Sequence, residues 1–305
     1  MFLERCKEMV QNNISKPLDE ETLEIMQYVV AALVLVKEKV AIEKLPSILK
    51  ELDIYAENKT VLEMAHEYLQ NYQEDNDLAH GDACVCRSLL FEEDGSLVKE
   101  KRTLLISTSE NDDIFEIIEK LVHEFMHLLR FGGIEKSGED HKIRDGISVT
   151  YYNPKTGKSR RKHRDLEEGT VQKYTNEALH ALANLLREEH VETIISKKFL
   201  KGHCTSKFTT YLIERTIIEK LCQSPEFNKL LDESFTDHTM PSPAIKYYNT
   251  VMRSSMAFAD LERQMEAIKE NILDLKKAQQ LYAIQNCTID EFIRKSKLNR
   301  GTRPI

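Results

Sequence analysis

Residues 123 to 127 read His123-Glu124-Phe125-Met126-His127, and each polar member of that pentapeptide suits a task at a metal ion. An α-helix turns about 100° per residue, so histidines four apart differ by about 40° and both imidazoles can reach one ion. Glu124 stands one position round from His123, close enough to contact a water on that ion without ligating it. That is the place of a general base. Three residues thus offer two ligands and a base, and the chemistry they suit is attack of an activated water on a carbonyl.

The element that carries them is expected to be a helix from about Asp112 to Phe131, opened by the acidic stretch SENDD and closed by Gly132-Gly133. Ile114, Ile117, Ile118, Leu121, Val122, Phe125, Met126, Leu128 and Leu129 cover most of its circumference, which predicts burial. Charged groups inside such a helix cost several kcal/mol unless they are paired or bind a metal, so the histidines and Glu124 are informative where they stand. Ahead of it, CVCRSLLF and SLVKEKRTLLIS flank Asp94-Gly95, a hairpin signal that predicts a small antiparallel sheet. Behind it come a polar connection from Ile134 to Asp145, a strand from Ile147 to Asn153 and a turn from Pro154 to Gly157. A return strand from Lys158 to His163 and a second helix from Leu166 to Glu189 follow.

A catalytic metal site needs a third protein ligand and an open position for water. The second helix begins Leu166-Glu167-Glu168-Gly169-Thr170-Val171-Gln172. With HExxH upstream, this resembles the gluzincin metallopeptidases, in which a later helix supplies a glutamate within an Asn-Glu-Gly or Glu-Gly pattern. The resemblance runs from about Ile106 to Leu186 and implies a zincin-like core, one zinc ion per chain held by His123, His127 and Glu168, and Glu124 as the catalytic base acting on a peptide or protein substrate. Glu177, in Asn176-Glu177-Ala178-Leu179-His180, is the main rival ligand, and His163, Asp165, Glu167 and His180 are others. Nine helical residues make about 900°, so Glu168 and Glu177 face opposite ways and only one can serve. Gly169 has no side chain to hold the two helices apart. Gln172, one turn past Glu168, can accept a hydrogen bond from a ligating imidazole, at a position where the resembling pattern often has an acid. The same family commonly adds a Tyr or His that donates to the developing oxyanion, and Tyr211, Tyr174 and His203 are open candidates here.

The rest of the chain bounds these readings. Its 305 residues, 41% of them hydrophobic, allow a sizeable core, and a formal net charge of −8 gives no global reason to bind nucleic acid or an anionic membrane. A cationic partner is mildly favoured. The apolar run from Tyr28 to Val36 is about half of what spans a bilayer and is expected to be a buried helix. The N-terminus shows no pattern of a secretory signal, so the expected location is cytoplasmic. Six scattered cysteines predict reduced thiols, with Cys84 and Cys86 on one face of a strand. The basic run Arg160-Arg161-Lys162-His163-Arg164 is most simply a solvated hairpin strand, with a subsite for an acidic substrate as the alternative, and Arg294 to Arg303 is a solvated tail.

The expected fold class is α+β and predominantly helical. Its parts are an N-terminal helical bundle (1–78, with apolar periodicity from Asp19 to Tyr72, Pro46 in a first helical turn, and Asn58 or Thr60 as an N-cap), a metal-binding core with a small antiparallel sheet (79–190), and a helical C-terminal subdomain (191–305, including a long helix from Met252 to Gln285). Two other functions compete with a peptidase. One is another zinc amide hydrolase in which Cys84 or Cys86 is a ligand; the other is a non-catalytic protein-binding module on the same scaffold, which would have no need of Glu124.

Overall fold

The computed structural model describes residues 1–38, 40–69, 83–92, 97–108 and 113–205, and beyond them 211, 215, 218, 219, 222, 225, 227–229 and 231. The Asp94-Gly95 turn and the helix expected from Met252 to Gln285 lie outside the described residues. The fold is mixed α+β.

Helices α1 (Phe2–Asn13) and α2 (Glu20–Leu35) open the chain. Asp19 caps α2 by accepting from the Thr22 amide at 2.9 Å and its hydroxyl at 2.6 Å. The apolar run is the buried centre of α2, where residues from Ile25 to Leu33 lose almost all contact with solvent, and α2 packs on α1 and on three later helices. Among the described residues no helix is long and apolar enough to cross a membrane.

A 3-10 turn (Ile42–Lys44) leads to α3 (Leu45–Glu51), with Pro46 in its first turn as expected. The expected bundle is then interrupted by strand β1 (Leu52–Glu57) before α4 (Val61–Tyr68) resumes behind a Thr60–Glu63 capping box. β1 is a correction, and alternation explains it: Leu52, Ile54 and Ala56 join the main core while Tyr55 turns to the other face and stacks on Tyr68 at 3.9 Å.

β2 (Ala83–Phe91) and β3 (Leu97–Ser107) pair antiparallel as the sequence implies, but β1 pairs with β3 in parallel, so the three-stranded sheet, in order β1-β3-β2, is mixed. Its two faces divide cleanly. Ala83, Val85, Leu104 and Ile106 face the main core, whereas Cys84, Cys86 and Leu105 face α4 with Val61, Met64 and Ala65.

β3 delivers the chain to α5 (Ile114–Arg130), capped by Asp113 through the Phe115 amide at 2.8 Å. Its apolar positions are buried as predicted. Gly132-Gly133 does not simply end it. The glycines lie inside strand β4 (Phe131–Ser137), where Gly133 adopts φ 103° at a register shift against β5 (Asp140–Asp145). The stretch read as a polar connection is therefore a hairpin, and exposed charges along it hid the strand period. β6 (Ser148–Tyr152) and β7 (Ser159–Lys162) complete a four-stranded antiparallel meander. α6 (Arg164–Glu188) then packs on α5, and α7 (Ile194–Thr205) packs on both.

Candidate metal centre

His123 and His127 both lie on α5, on the side that meets α6, and Glu168 projects from the first turns of α6. His123 Nε2 is 3.1 Å from His127 Nε2, Glu168 Oε2 is 3.1 Å from the latter, and it is 3.2 Å from the former. The three atoms form a nearly equilateral triangle. Among the described residues this is the group of His, Cys, Asp or Glu side chains able to hold a metal ion.

The triangle's edges match the ligand spacing of a small tetrahedral ion: bonds of about 2.0–2.1 Å at a tetrahedral angle separate neighbouring ligand atoms by about 3.3 Å. The protonation pattern also fits. Gln172 Nε2 donates to Glu119 Oε1 at 2.8 Å and to Asn176 Oδ1 at 3.0 Å, so Gln172 Oε1 is the atom facing His123 Nδ1 at 2.8 Å. That carbonyl oxygen must accept, which puts the His123 proton on Nδ1 and turns the Nε2 lone pair into the triangle. Burial alone would depress the His127 pKa, but Glu167 and Glu168 outweigh it and push it up to about 10; burial alone would raise the Glu168 carboxyl, yet the two histidines hold it well below the usual carboxylate range. The pocket calls for positive charge at its centre.

An amide at position 172 suits its surroundings for a local reason. Glu119, one turn before His123, is buried against the same spot, so the residue between them must accept on one side and donate on the other. An amide does both. A carboxylate there would set two buried anions against each other.

Behind His127 lies a second support that the sequence reading did not assign. Arg130 grips Glu167 through Nε at 2.6 Å and Nη2 at 2.9 Å, and Glu167 also accepts from the Ile147 amide at 2.8 Å. Glu167 Oε1 is 3.7 Å from His127 Nδ1. Burial works to raise the Glu167 carboxyl, but Arg130 and His127 bring it down to about 2. Gly146, with φ 57°, passes directly over this pair; a Cβ there would lie 2.6 Å from Arg130 Nε and from Glu167 Oε2. The available signal was an arginine that follows Leu128 and Leu129 in the last turn of a helix expected to be buried.

Of the rival ligands, Glu177 is exposed and paired with Lys173 at 2.7 Å, Glu167 is bound to Arg130, and His180 meets His203 at 2.9 Å between α6 and α7. His163, at φ 60°, forms the N-cap of α6, and the Asp165 side chain lies outside the described residues. Glu124 is partly exposed, and its charge acts on His127. Among the oxyanion candidates, the Tyr211 ring stacks on His123, with centroids 5.1 Å apart and planes 13° from parallel. Tyr174 is fully buried, and His203 packs on Phe115 at the opposite end of α5. Cys84 and Cys86 approach each other at 3.5 Å on the α4 face of the sheet and are not in the ligand group. Contact with Cys86 and burial keep the Cys84 thiol protonated.

Comparison of the chain with protein-family models, with curated proteins and with solved structures finds no match in any of the three.

Proposed function

We propose that the chain is a zinc-dependent metallopeptidase of the gluzincin type, with a zincin-like core, acting on a peptide or protein substrate. The observation that carries the proposal is the triangle of His123 Nε2, His127 Nε2 and Glu168 Oε2, with His123 oriented by Gln172 so that its lone pair points inward. His123, His127 and Glu168 would hold one zinc ion, leaving a fourth position for water. The ion, when bound, supplies Lewis acidity: it lowers the pKa of that water to about 7 and polarises the substrate carbonyl.

The chain's own groups do the rest. Glu124 takes a proton from the attacking water and returns it to the leaving amine nitrogen. Gln172 orients the His123 imidazole, and Glu167, held by Arg130, sets its negative charge 3.7 Å from His127 Nδ1. Of the three oxyanion-donor candidates we favour Tyr211, because its ring stacks on that of His123. Peptide cleavage fits a base and an amine-protonating acid combined in one carboxylate; a binding module would have no use for Glu124.

The test is elemental analysis with a peptide-cleavage assay on purified wild type, His123→Ala, Glu168→Ala and Glu124→Gln. About one zinc per chain is expected in wild type and Glu124→Gln, and much less in the other two; cleavage is expected in wild type alone. Cleavage retained by Glu124→Gln, or zinc retained by both ligand variants, would overturn the reading.

A further inference from the structure

The carboxylate of Glu168 is divided between two environments. Oε2 faces the histidines, while Oε1 faces two guanidinium groups: Arg161 Nη2 at 3.5 Å from β7, and Arg164 Nε at 3.7 Å from the start of α6. The contrast with the neighbouring glutamate is instructive. Arg130 and Glu167, almost completely buried, close a bidentate pair at 2.6 and 2.9 Å, as a structural ion pair does. Arg161 and Arg164 are 33% and 50% exposed, and their distances to Glu168 exceed those of charge-assisted hydrogen bonds. Neither is closed onto the ligand.

Arg161 is nonetheless held in place. Its Nε donates to the buried Ser148 hydroxyl at 2.8 Å, which fixes the planar fork beside the metal centre with donors still open to solvent. The strand's alternation sends Arg160 and Lys162 to the opposite face, where both lie 5.3 Å from the Tyr151 ring. So the basic run is a solvated strand on one face and something else on the other. A chain with a net charge of −8 places one anchored guanidinium, that of Arg161, and one half-exposed guanidinium, that of Arg164, at the edge of its metal centre.

We infer that Arg161 and Arg164 form a carboxylate-recognition subsite, and that the preferred substrate is an acidic peptide whose carboxylate lies beside the scissile bond. This rests on the hydrolase reading for the word substrate, but not for the binding itself. Two guanidiniums match a carboxylate in charge and geometry, and once Glu168 gives its charge to a cation its hold on them weakens. The carboxylate can come from an Asp or Glu side chain or from a peptide C-terminus.

The experiment is fluorescence anisotropy with the full chain, as metal-free wild type and as zinc-loaded Glu124→Gln, using three fluorescein-labelled alanine-based peptides. One carries a central Glu-Glu and an amidated end, one a central Gln-Gln and an amidated end, and one Gln-Gln with a free C-terminal carboxylate. At low salt, one acidic probe is expected to bind about tenfold or more tightly than the neutral probe, with the gap closing in high salt. Preference for Glu-Glu assigns a side-chain carboxylate; preference for the free end assigns the C-terminus. Arg161→Gln/Arg164→Gln is expected to erase the gap while binding the neutral probe as before. Arg161→Lys/Arg164→Lys, which keeps the charge, is expected to retain part of it and serves if the first variant does not fold. Equal binding of all three probes, or a gap that survives in Arg161→Gln/Arg164→Gln, overturns the inference even if zinc and cleavage are found. A gap that obeys the arginines in a chain without cleavage leaves the subsite standing and removes the hydrolase reading alone.

Discussion

Replacing Arg130 by Met in the metal-free protein tests the support behind His127. Methionine keeps the length and apolar stem of Arg130 but leaves Glu167, which has no solvent exposure, without its counter-charge. Two charge-assisted hydrogen bonds, at 2.6 and 2.9 Å, are lost, and the bond from the Ile147 amide at 2.8 Å remains. At about 1.5–3 kcal/mol each, the lost bonds sum to about 3–6 kcal/mol, and protonation of the stranded carboxyl caps the loss near the 3–5 kcal/mol typical of a broken buried pair. The pH dependence fixes the cause. In the wild type Glu167 is held down to about 2, so its contribution is present above the ordinary value of 4.5 and is lost as pH falls through about 2. In Arg130→Met the largest opponent of burial is gone and only His127 and the Ile147 amide still lower Glu167, so its carboxyl rises toward the ordinary value and the variant loses less stability than the wild type as pH falls. The gap between the two proteins should therefore shrink between pH 7 and pH 4. Urea unfolding followed by circular dichroism, in chelator, at three pH values measures it. The double variant Arg130→Met/Glu167→Leu should recover most of the loss, because no buried charge remains. A gap under about 1 kcal/mol at pH 7, or one that does not change with pH, refutes the reasoning.

Gln172→Leu should lower zinc affinity about 10–100-fold in a competition titration, because His123 loses the acceptor that fixes its tautomer. Gly146→Ala should destabilise the fold by about 1–3 kcal/mol in urea unfolding, since the new methyl meets Arg130 and Glu167 and its φ of 57° is strained. Glu177→Gln, on the exposed side of α6, should leave zinc content unchanged by elemental analysis. Burial, with the charges of His180 and Arg187, lowers the His203 pKa to about 4, so the unfolded chain takes up a proton there first and stability should fall as pH drops from 6.5 toward 4. His203→Asn should flatten that slope in thermal melts.

Much of this architecture was readable where one period dominates. Helix α5 announces itself because its apolar positions recur at the helical spacing without interruption, and α2 because its apolar run is too short to span a bilayer and too continuous to face water. β1 was not readable, since the six residues Leu52–Glu57 sit between two helices and their alternation is too short to stand out. The β4–β5 hairpin was missed for a different reason: most of its side chains are exposed or half-exposed, and its buried alternation is confined to His141, which is not apolar, and Ile143. The approach of His123, His127 and Glu168 was readable in part because two of the three lie on one helix at fixed spacing. Its supports were not, because Glu119 with Gln172, and Arg130 with Glu167, are 53 and 37 residues apart and meet only when α5 packs on α6.

Those supports explain why the site tolerates so many buried polar and ionisable groups. Glu119, Glu167, Glu168, His123 and Arg130 are all nearly inaccessible to solvent, and each would be costly alone. None is alone. Glu119 receives the Gln172 amide, Glu167 receives Arg130 and the Ile147 amide, and Glu168 shares its oxygens between the histidines and the two outer arginines. Glu119, Gln172, Asn176 and His123 form one hydrogen-bonded chain in which both Gln172 amide protons have an acceptor, so replacing Gln172 by an acid would require a further change at Glu119. The two residues are coupled: an acid at 172 would face the Glu119 carboxyl in place of an amide that donates to it.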